Sequence, residues 1–396
     1  MASTDNAAAF LIAAKAHPFE VKPAPVWTPE ENEILVKNHV MAINPVDGNL
    51  QYTAFYPLSY PTILGQDVAG EVVAVGPNVT RFKPGDRVVG HAVAMATGRH
   101  EDAGFQLYTI LQTKMSSPIP AGMAYERAAV LPLGLSTAAS GLFRKGFLNL
   151  QRPTVPARKP TGNTVLVWGG ASSVGSNAIQ LCVAAGYEVI TTASARNFHY
   201  AKKLGAAQVF DYNSPTVHAD LLNAFKGNTI AGAMDCIGAP AWAICLDVAQ
   251  VSTYPRAAHF PPFHPCAIRP RSLGYAVWRT CFTSGALDIN GGEELLTPSD
   301  RQKTPGNKFV ATTKRGFPEP PEGVQIQAVF GTTIKDDEVG TVIYEDFLPK
   351  ALEAGSYVPS PEPLLAGEGL ESLQAAVDLQ RAGVSARKVV VRLQSQ

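Results

Sequence analysis

The stretch VLVWGGASSVGSNAIQL, residues 165–181, joins an apolar run to a glycine-rich turn and an amphipathic segment. The apolar run predicts a buried strand, and the periodic residues 174–185 predict a helix. Small residues in such a turn let the backbone approach a pyrophosphate, and the helix N-terminus presents free N–H groups to it. The spacing is not a strict GxGxxG, so a tight structural turn is the alternative. We interpret the stretch as a dinucleotide-binding turn whose contacting residues are Gly170, Ser172, Ser173, Val174 and Gly175.

Strand and helix patterns alternate along the chain after this turn. Strands separated by helices imply an α/β fold with a parallel, doubly wound sheet. The carboxyl ends of such strands are where a dinucleotide lies. Ile237, Gly238, Phe330 and Gly331 follow two of the strands and are therefore candidate contacts to the ribose and carboxamide. The predicted strands span residues 164–168, 188–192, 209–210, 231–236, 308–312 and 324–330, and the second helix spans 198–204.

The end of the second strand predicts which phosphate the cofactor carries. Residues 193–197 read ASARN and contain no acid. An Asp or Glu here would bond the ribose 2′-OH of NAD and repel a 2′-phosphate, whereas Ser194 and Arg196 can donate to that phosphate. Asn197 lies in the same turn, and Tyr212, after the third strand, adds a hydroxyl. A solvated side chain at a helix start is the alternative for Arg196. We expect NADPH.

The predicted secondary structure at the two ends of the chain differs from that of this central region. The segment before about residue 128 is β-rich, with predicted strands at 34–40, 68–75 and 87–91. Residues 7–14 are too short an apolar run to span a bilayer, and they follow Asp5 rather than a basic region. We therefore predict a first strand there and no signal peptide. The tail predicts helices over 339–354 and 370–383 and a closing strand over 388–393.

Composition excludes several classes of protein. The chain has 396 residues, with 33 Lys+Arg against 33 Asp+Glu and 46% hydrophobic residues. This balance is typical of a folded protein and lacks the basic excess of a nucleic-acid or membrane-surface binder. The five cysteines are odd in number and form no CxxC pair, so they indicate neither a disulfide framework nor a clustered zinc site. A reduced, cytoplasmic setting is expected, without nucleic-acid or membrane partners.

Residues 252–306 do not fit the alternating pattern. The segment is rich in Pro, Arg, His and isolated aromatic residues and has no sustained period. An insert of this length without structure is uncommon in a compact domain. It is interpreted as a surface excursion, with a lid, a partner surface or an artefact of gene structure as alternatives. His259, His264 and Cys266 lie in it, and loop residues are a better explanation for them than a metal site.

Several motifs recur in the order of a known family. They are AINPVDGN (42–49), YPTILGQDVAGEVVAVGPNV (60–79), FKPGDRVVG (82–90), the glycine turn, KKLGAAQVFDY (202–212) and MDCIG (234–238). With them the chain resembles the medium-chain dehydrogenase/reductase superfamily, in its zinc-free quinone-oxidoreductase and enoyl-reductase branch. The amino-acid sequence of the tail is similar to that of fungal members labelled zinc-binding oxidoreductases, which include trans-acting enoyl reductases of polyketide pathways.

The resemblance implies a discontinuous GroES-like catalytic domain, residues 1–126 and 334–396, around a Rossmann domain at 127–333. In zinc-dependent relatives the metal ligands include a Cys in the turn that reads here 44–47 and a His in the stretch 65–67. This chain has neither, and residues 91–109 contain none of the four cysteines of a structural zinc lobe. Because zinc needs three or four such ligands, we expect no metal. The family also implies a homodimer.

Without a Lewis acid, the feasible chemistry is hydride transfer to an acceptor that is already electrophilic. The developing oxyanion then needs a hydrogen-bond donor and a proton. Related enoyl reductases use a tyrosine from the loop that reads here GNLQYTAFYPLSY, where Tyr56, Tyr52 and Tyr60 are candidates and ordinary packing is the alternative for each. The resemblance places Asn44 near the nicotinamide ribose, Asp47 as polar support and Thr137 in the nicotinamide pocket. A local turn and a helix hydroxyl are the alternatives for these.

We therefore predict an NADPH-dependent, metal-independent reductase that transfers hydride to a quinone or to a C=C bond conjugated to a carbonyl. Its partner is a small electrophilic acceptor. One alternative is a trans-acting enoyl reductase that works on carrier-bound acyl chains of a polyketide synthase. The other is a non-catalytic NADPH-binding sensor.

Overall fold

The computed structural model describes residues 5–251 and 306–393. The predicted insert, including His259, His264 and Cys266, lies outside the described residues except for Gly306. Within the described part of the chain, no helix is both long and apolar enough to cross a membrane.

The N-terminal part is β-rich, as predicted. The first predicted strand is confirmed, but it ends at Leu11, so the polar turn begins earlier than the apolar run suggests. The strands are β1 (Asn6–Leu11), β2 (Glu20–Ala24), β3 (Glu33–Ala42), β4 (Thr62–Ile63), β5 (Asp67–Val75), β6 (Arg87–His91), β7 (Tyr108–Gln112) and β8 (Ser116–Pro118). The helices are α1 (Pro45–Thr53), α2 (Ala94–Thr97), α3 (Tyr125–Ala129) and α4 (Pro132–Phe143).

The central part contains the predicted six-stranded sheet. Its strands are β9 (Asn163–Trp168), β10 (Glu188–Ala193), β11 (Gln208–Asp211), β12 (Thr229–Asp235), β13 (Phe309–Thr312) and β14 (Gln325–Ala328). They pair in the order β11-β10-β9-β12-β13-β14, and every pairing is parallel. Parallel neighbours need crossover connections, which helices supply. These are α5 (Ser173–Ala184), α6 (Phe198–Lys203), α7 (Val217–Phe225) and α8 (Ala241–Val251).

The tail returns to the N-terminal sheet. It contains β15 (Glu362–Glu368), which the sequence did not predict, and β16 (Arg387–Arg392), which pairs with β3. The resulting seven-stranded sheet runs β15-β16-β3-β5-β6-β8, with β7 added on β3. The predicted helix over 339–354 consists of α9 (Glu338–Thr341), a π-helical turn (Val342–Phe347) and α10 (Leu348–Glu353), and the next is α11 (Leu373–Ala382).

One hydrophobic cluster links the two sheets. It contains Val40 and Val89 from the seven-stranded sheet and Val165 and Met234 from the six-stranded sheet. Helix α4 lies between them and contributes Leu135, among other buried residues. The shared cluster also includes Ala69 of β5, so it packs the two sheets against each other, and the candidate site lies at this junction.

Candidate active site

A cleft of about 740 Å³ lies between the two sheets. One wall comes from the N-terminal part and includes Asn44, Val46, Tyr56, Gln66 and Met95. The other wall comes from α4 and from the carboxyl ends of the parallel strands. Its residues include Leu133, Gly134, Thr137, Ser172, Ser173, Val174, Cys236, Thr313, Lys314, Arg315, Ala328, Phe330 and Gly331.

The glycine-rich turn connects β9 to α5 and reaches the cleft through three residues, Ser172, Ser173 and Val174. Ser172 caps α5, and its Oγ accepts a hydrogen bond from the Gly175 N–H at 3.0 Å. Gly175 itself packs under the turn, because a Cβ there would lie 2.2 Å from the Gly169 carbonyl oxygen. A Cβ on Gly170 would likewise lie 2.3 Å from Thr191 Oγ1. These two glycines therefore permit close packing of strand and helix, and the serines face the cleft.

The turn fits a nucleotide phosphate. Ser173 Oγ is sealed from solvent and has no hydrogen-bond partner among the described residues. A Cβ on Gly134 of α4 would lie 2.6 Å from that oxygen, so the glycine lets α4 and α5 pack closely beside Ser173. The turn leads into α5, a helix of 12 residues, whose N-terminal N–H groups favour an anion.

The residues predicted to hold a 2′-phosphate lie together at the end of β10. Asn197 Nδ2 donates to Ser194 Oγ at 3.1 Å and to Ser385 Oγ at 3.1 Å, which ties this turn to the tail of the chain. Arg196 is exposed beside them. Tyr212 is 47% exposed and follows the neighbouring strand β11. No carboxylate lies in residues 193–198.

The remaining cofactor candidates lie at the ends of β12 and β14. The Ile237 and Gly238 N–H groups donate to Oδ1 of buried Asp235 at 3.0 and 3.1 Å, which fixes the turn after β12. Phe330 lines the cleft with the Arg315 guanidinium 4.7 Å from its ring centre. A Cβ on Gly331 would lie 2.7 Å from Thr137 Oγ1, so α4 and the β14 end approach closely here.

The structure separates the two tyrosines named first in the sequence analysis. Tyr56 lines the cleft beside Phe55. Tyr52 lies on the far side of α1, where its hydroxyl donates to Asp378 Oδ1 at 2.5 Å and Arg381 stacks 3.7 Å from its ring centre. The Asp378 carboxylate raises the pKa of Tyr52. The structure thus does not bring Tyr52 to the cleft. Tyr60 is half-buried among apolar residues.

Asn44 is held by a buried ion pair. Lys388 Nζ lies 2.8 Å from Asp67 Oδ2 and donates to Asn44 Oδ1 at 2.5 Å, while Asn44 Nδ2 donates to the same Asp67 oxygen at 2.9 Å. The other Asp67 oxygen accepts from the Leu133 N–H at 2.6 Å, at the start of α4. All three side chains are nearly inaccessible. This Asn44–Asp67–Lys388 cluster joins the start of α1 to β5, β16 and α4.

Asp47 lies behind this cluster rather than in the cleft lining. Its Oδ2 accepts from the Asn44 N–H at 2.8 Å, which fixes the start of α1. Its Oδ1 has no partner within the described ranges. Burial, with the neighbouring Asp67 charge, raises the pKa of Asp47 to about 7. Asp47 therefore supports the backbone of Asn44.

A second buried chain of hydrogen bonds runs from His91 to the tail. His91 Nδ1 lies 2.9 Å from Ser136 Oγ, which lies 2.7 Å from the Tyr344 hydroxyl. Burial lowers the pKa of His91 to about 4, so the imidazole is neutral at physiological pH.

Two family models match the sequence. Residues 30–130 match the alcohol dehydrogenase GroES-like domain, and residues 173–252 match the zinc-binding dehydrogenase family. The chain is 54% identical over 392 residues to the zinc-binding alcohol dehydrogenase domain-containing protein cipB of Emericella nidulans, covering 99% of both chains. The chain belongs to the medium-chain dehydrogenase/reductase superfamily. It lies in the enoyl reductase-like branch.

Other members of the superfamily match over nearly the whole chain. The dehydrogenase pigH of Monascus ruber is 44% identical over 98% of this chain and 99% of its own. The trans-enoyl reductase himH of Aspergillus japonicus is 35% identical over 99% of both chains. The fold matches an alcohol dehydrogenase superfamily protein from Novosphingobium aromaticivorans with a TM-score of 0.69, at 21% identity over 98% and 100% of the chains. A mycobacterial protein complexed with NADPH matches with a TM-score of 0.63, at 20% identity over 98% and 99%.

Zinc does not fit this member of the dehydrogenase/reductase superfamily. Within residues 5–251 and 306–393, no group of three His, Cys, Asp or Glu side chains is arranged to hold a metal. Where zinc-dependent relatives carry their ligands, the structure has the amides of Asn44 and Gln66 and the carboxylates of Asp47 and Asp67. The Asp47 carboxylate accepts from the Asn44 N–H, and the Asp67 carboxylate is paired with the Lys388 ammonium. A buried ammonium repels a second cation, so the donor set is unsuited to zinc.

An ion-pair cluster occupies the segment that carries the structural zinc lobe in those relatives. The Arg99 guanidinium donates to Glu33 Oε1 at 2.8 Å and to Glu101 Oε1 at 3.0 Å, and it lies 3.6 Å from Asp102 Oδ2. Burial raises the pKa of Asp102 to about 6. The cluster ties the loop after β6 to β3.

Sequence reasoning missed Gln66, Asp67 and Lys388 as parts of the site. The sequence indicates Gln66 and Asp67 only as the place of an absent zinc ligand. Lys388 is 344 residues from Asn44 along the chain, and its only local signal is a charge among the apolar residues of a closing strand. A lysine in a buried strand is rarely found without a charged or polar partner. The sequence therefore indicates that Lys388 has such a partner but does not identify the residue.

Proposed function

We propose that the protein reduces a C=C bond conjugated to a carbonyl, a class that includes enones, enoyl thioesters and quinones, with NADPH as the hydride source. One observation carries the proposal: a single cleft is lined both by Ser172, Ser173 and Val174 at the start of α5 and by Tyr56 and Gln66 of the N-terminal part. A conjugated acceptor is electrophilic without a metal, which suits a donor set that does not hold zinc.

Each part of the cleft has a role in this proposal. NADPH, when bound, supplies the hydride. Ser172, Ser173 and Val174 hold the diphosphate at the helix N-terminus, and Ser194 with Arg196 donates to the 2′-phosphate. Thr137, Phe330 and Gly331 border the nicotinamide end, beside Asn44.

Tyr56 serves in this proposal as the donor to the acceptor oxygen. Hydride arriving at the β-carbon leaves negative charge on the carbonyl oxygen, which a phenolic O–H stabilises. Asn44 is fixed by Lys388 and Asp67, so it forms a rigid part of the cleft rather than a mobile one.

Carrier-bound acyl chains are a second candidate substrate. The relative named trans-enoyl reductase, at 35% identity over 99% of both chains, favours them. In that case the partner is a polyketide synthase, and the acceptor enters the cleft as a thioester. The proposal also takes residues 1–126 with 334–396 and residues 127–333 as the two domains that form the cleft.

The experiment measures NADPH consumption by chelator-treated protein. A quinone, a conjugated enone, an enoyl thioester and a simple aldehyde are supplied separately, with NADH and no-acceptor controls. Turnover with a conjugated acceptor but not with the aldehyde is expected. Thioester turnover alone would favour the carrier-bound class, while NADPH binding without any turnover would contradict the proposal and favour a sensor.

The same experiment also tests the choice between NADPH and NADH. Arg196→Ala should raise the KM for NADPH by about tenfold, because one charge-assisted hydrogen bond is lost. Arg158→Ala, at an exposed arginine away from the cleft lining, is the matched control. A preference for NADH in the unaltered protein would show that the phosphate assignment is wrong.

A further inference from the structure

A single side-chain amide joins the turn after β10 to the loop between α11 and β16. Asn197 Nδ2 donates one hydrogen bond to Ser194 Oγ and another to Ser385 Oγ, each at 3.1 Å. Ser194 and Asn197 belong to the turn that was predicted to hold a 2′-phosphate. Ser385 lies 188 residues beyond Asn197, in the tail of the chain. The tail therefore brings a second hydroxyl to this turn.

The two serine hydroxyls keep their hydrogens for a ligand. Each Oγ accepts from Asn197, and within residues 5–251 and 306–393 neither hydroxyl donates to another protein group. A serine hydroxyl has one O–H donor besides its acceptor lone pairs. Because both oxygens are bonded to the same nitrogen, the two donors lie close together, within reach of one small group with several acceptor oxygens. A phosphate monoester is such a group.

The charges around the two hydroxyls favour an anion. Residues 193–204 read ASARNFHYAKKL and residues 382–389 read AGVSARKV, so neither segment contains an Asp or Glu. Arg196 is exposed in the first of them. Asp211, at the end of the neighbouring strand β11, uses its Oδ1 to accept from the N–H and Nδ2 of Asn213 at 2.9 and 3.0 Å. A phosphate dianion is attracted by these basic segments.

The loop that carries Ser385 is held in place. It spans residues 383–386, between the end of α11 and the start of β16. Val384 packs against the hydrophobic cluster that contains Leu373 and Val389. Lys388, in β16, is paired with Asp67. The Ser385 hydroxyl is therefore positioned before any ligand binds, which lowers the cost of using it as a donor.

We propose that Ser385 binds the 2′-phosphate of NADPH by donating its hydroxyl hydrogen to a phosphate oxygen, beside Ser194 and Arg196. The inference rests on the proposed function and deepens it by naming a residue that determines cofactor specificity and lies outside the cofactor-binding turn. The 2′-phosphate then bridges the turn after β10 and the loop before β16. Selection of NADPH over NADH therefore depends on both parts of the chain.

The test uses Ser385→Ala, which removes the hydroxyl, and Ser385→Thr, which keeps it. Ser356→Ala is the matched control, because Ser356 is an exposed serine of the tail whose hydroxyl donates to the Ala351 carbonyl oxygen. Calorimetry measures the Kd of 2′,5′-ADP, 3′,5′-ADP and 5′-AMP for each protein. These nucleotides carry the additional phosphate at the 2′ position, at the 3′ position or not at all. The thermal midpoint of each variant is recorded.

Ser385→Ala should weaken binding of 2′,5′-ADP about tenfold and leave binding of 5′-AMP unchanged. Ser385→Thr and Ser356→Ala should bind all three nucleotides as the unaltered protein does. Equal binding of 2′,5′-ADP by Ser385→Ala and the unaltered protein would overturn the inference. An equal loss for all three nucleotides, or equal affinity of the unaltered protein for 2′,5′-ADP and 3′,5′-ADP, would do the same. Because no acceptor is present, a failure of turnover in the acceptor panel is distinguishable from a failure at Ser385.

Discussion

At the scale of single residues, Tyr52 and Tyr56 show how four positions of sequence separate a structural from a functional environment. Helix α1 ends at Thr53, and Ala54 adopts a left-handed conformation that turns the chain. Tyr52 therefore stays on the helix and faces α11, where it bonds Asp378. Tyr56, beyond the turn, reaches the cleft.

Replacing these two tyrosines by phenylalanine gives a matched pair. Tyr56→Phe should lower kcat with a conjugated acceptor about a hundredfold, because the developing oxyanion loses a donor. Tyr52→Phe should leave kcat unchanged and lower the free energy of unfolding by about 1 kcal/mol, for one lost hydrogen bond. Steady-state kinetics and urea unfolding of both variants check this. A large kcat loss in Tyr52→Phe would reverse the assignment.

At the scale of elements, the Asn44–Asp67–Lys388 cluster holds the start of α1, β5, β16 and α4 together. Lys388→Met should destabilise the protein by about 3–5 kcal/mol, because it leaves the Asp67 charge buried and unpaired. In Asp67→Asn/Lys388→Met no charge remains, so the double variant should be more stable than the sum of the single losses. Urea unfolding of the four proteins gives the coupling free energy. Additive losses would mean that the two side chains do not interact.

Asp47, at the start of α1, predicts a pH dependence of stability. Its folded pKa of about 7 lies above the ordinary 3.8, so the folded state holds the proton more tightly than the unfolded state. Its contribution to stability is complete below about pH 4 and decreases by up to about 1.4 kcal/mol per pH unit towards pH 7. Asp47→Asn removes this decrease and should be more stable than the unaltered protein at pH 8.

Urea midpoints of the unaltered protein and Asp47→Asn at pH 5, 6, 7 and 8 check the sign. The difference between the two proteins should grow as the pH rises. Asp346→Asn, at an exposed carboxylate, is the control and should follow the unaltered protein at every pH. A constant difference across the range would mean that Asp47 is ionised in the folded protein throughout.

The elements that the sequence predicted best are those with local signals. The run at 165–181 contains its own strand, turn and helix, and the six parallel strands were predicted within a few residues. The sequence does not predict strand β15, because its residues EPLLAGE include Pro363 and show no alternation of apolar and polar side chains. Its pairing with β16 is what defines it. The same reason hides Lys388 as a site residue, since its partners Asn44 and Asp67 come from a distant part of the chain. Register, side-chain pairing and the direction of the tyrosines are tertiary properties that a single sequence does not encode locally.

At the scale of the whole molecule, the two sheets share one hydrophobic cluster, and each sheet also packs a further cluster of its own. Val40 and Val89 belong to the same hydrophobic cluster as Val165 and Met234, and α4 fills the space between them. Asp67 and Ser136 add polar contacts across the same junction. Exposing either sheet therefore also exposes apolar surface of the other, at about 25 cal/mol for each Å².

The shared cluster predicts that both sheets open together. Native-state hydrogen exchange in increasing denaturant should give the same free energy of opening for the amides of Val68–Val75 in β5 and of Val165–Trp168 in β9. Peptide-level mass spectrometry separates these segments without any substitution. Strand β2 is at the edge of a three-stranded sheet, β2-β1-β4, and β14 is at the edge of the six-stranded sheet. Both serve as internal controls and should exchange earlier, because an edge strand leaves part of its backbone open to solvent. If β5 lost protection at a lower denaturant concentration than β9, the cluster would not couple the sheets, and the cleft between them would open by separation of two independently stable domains.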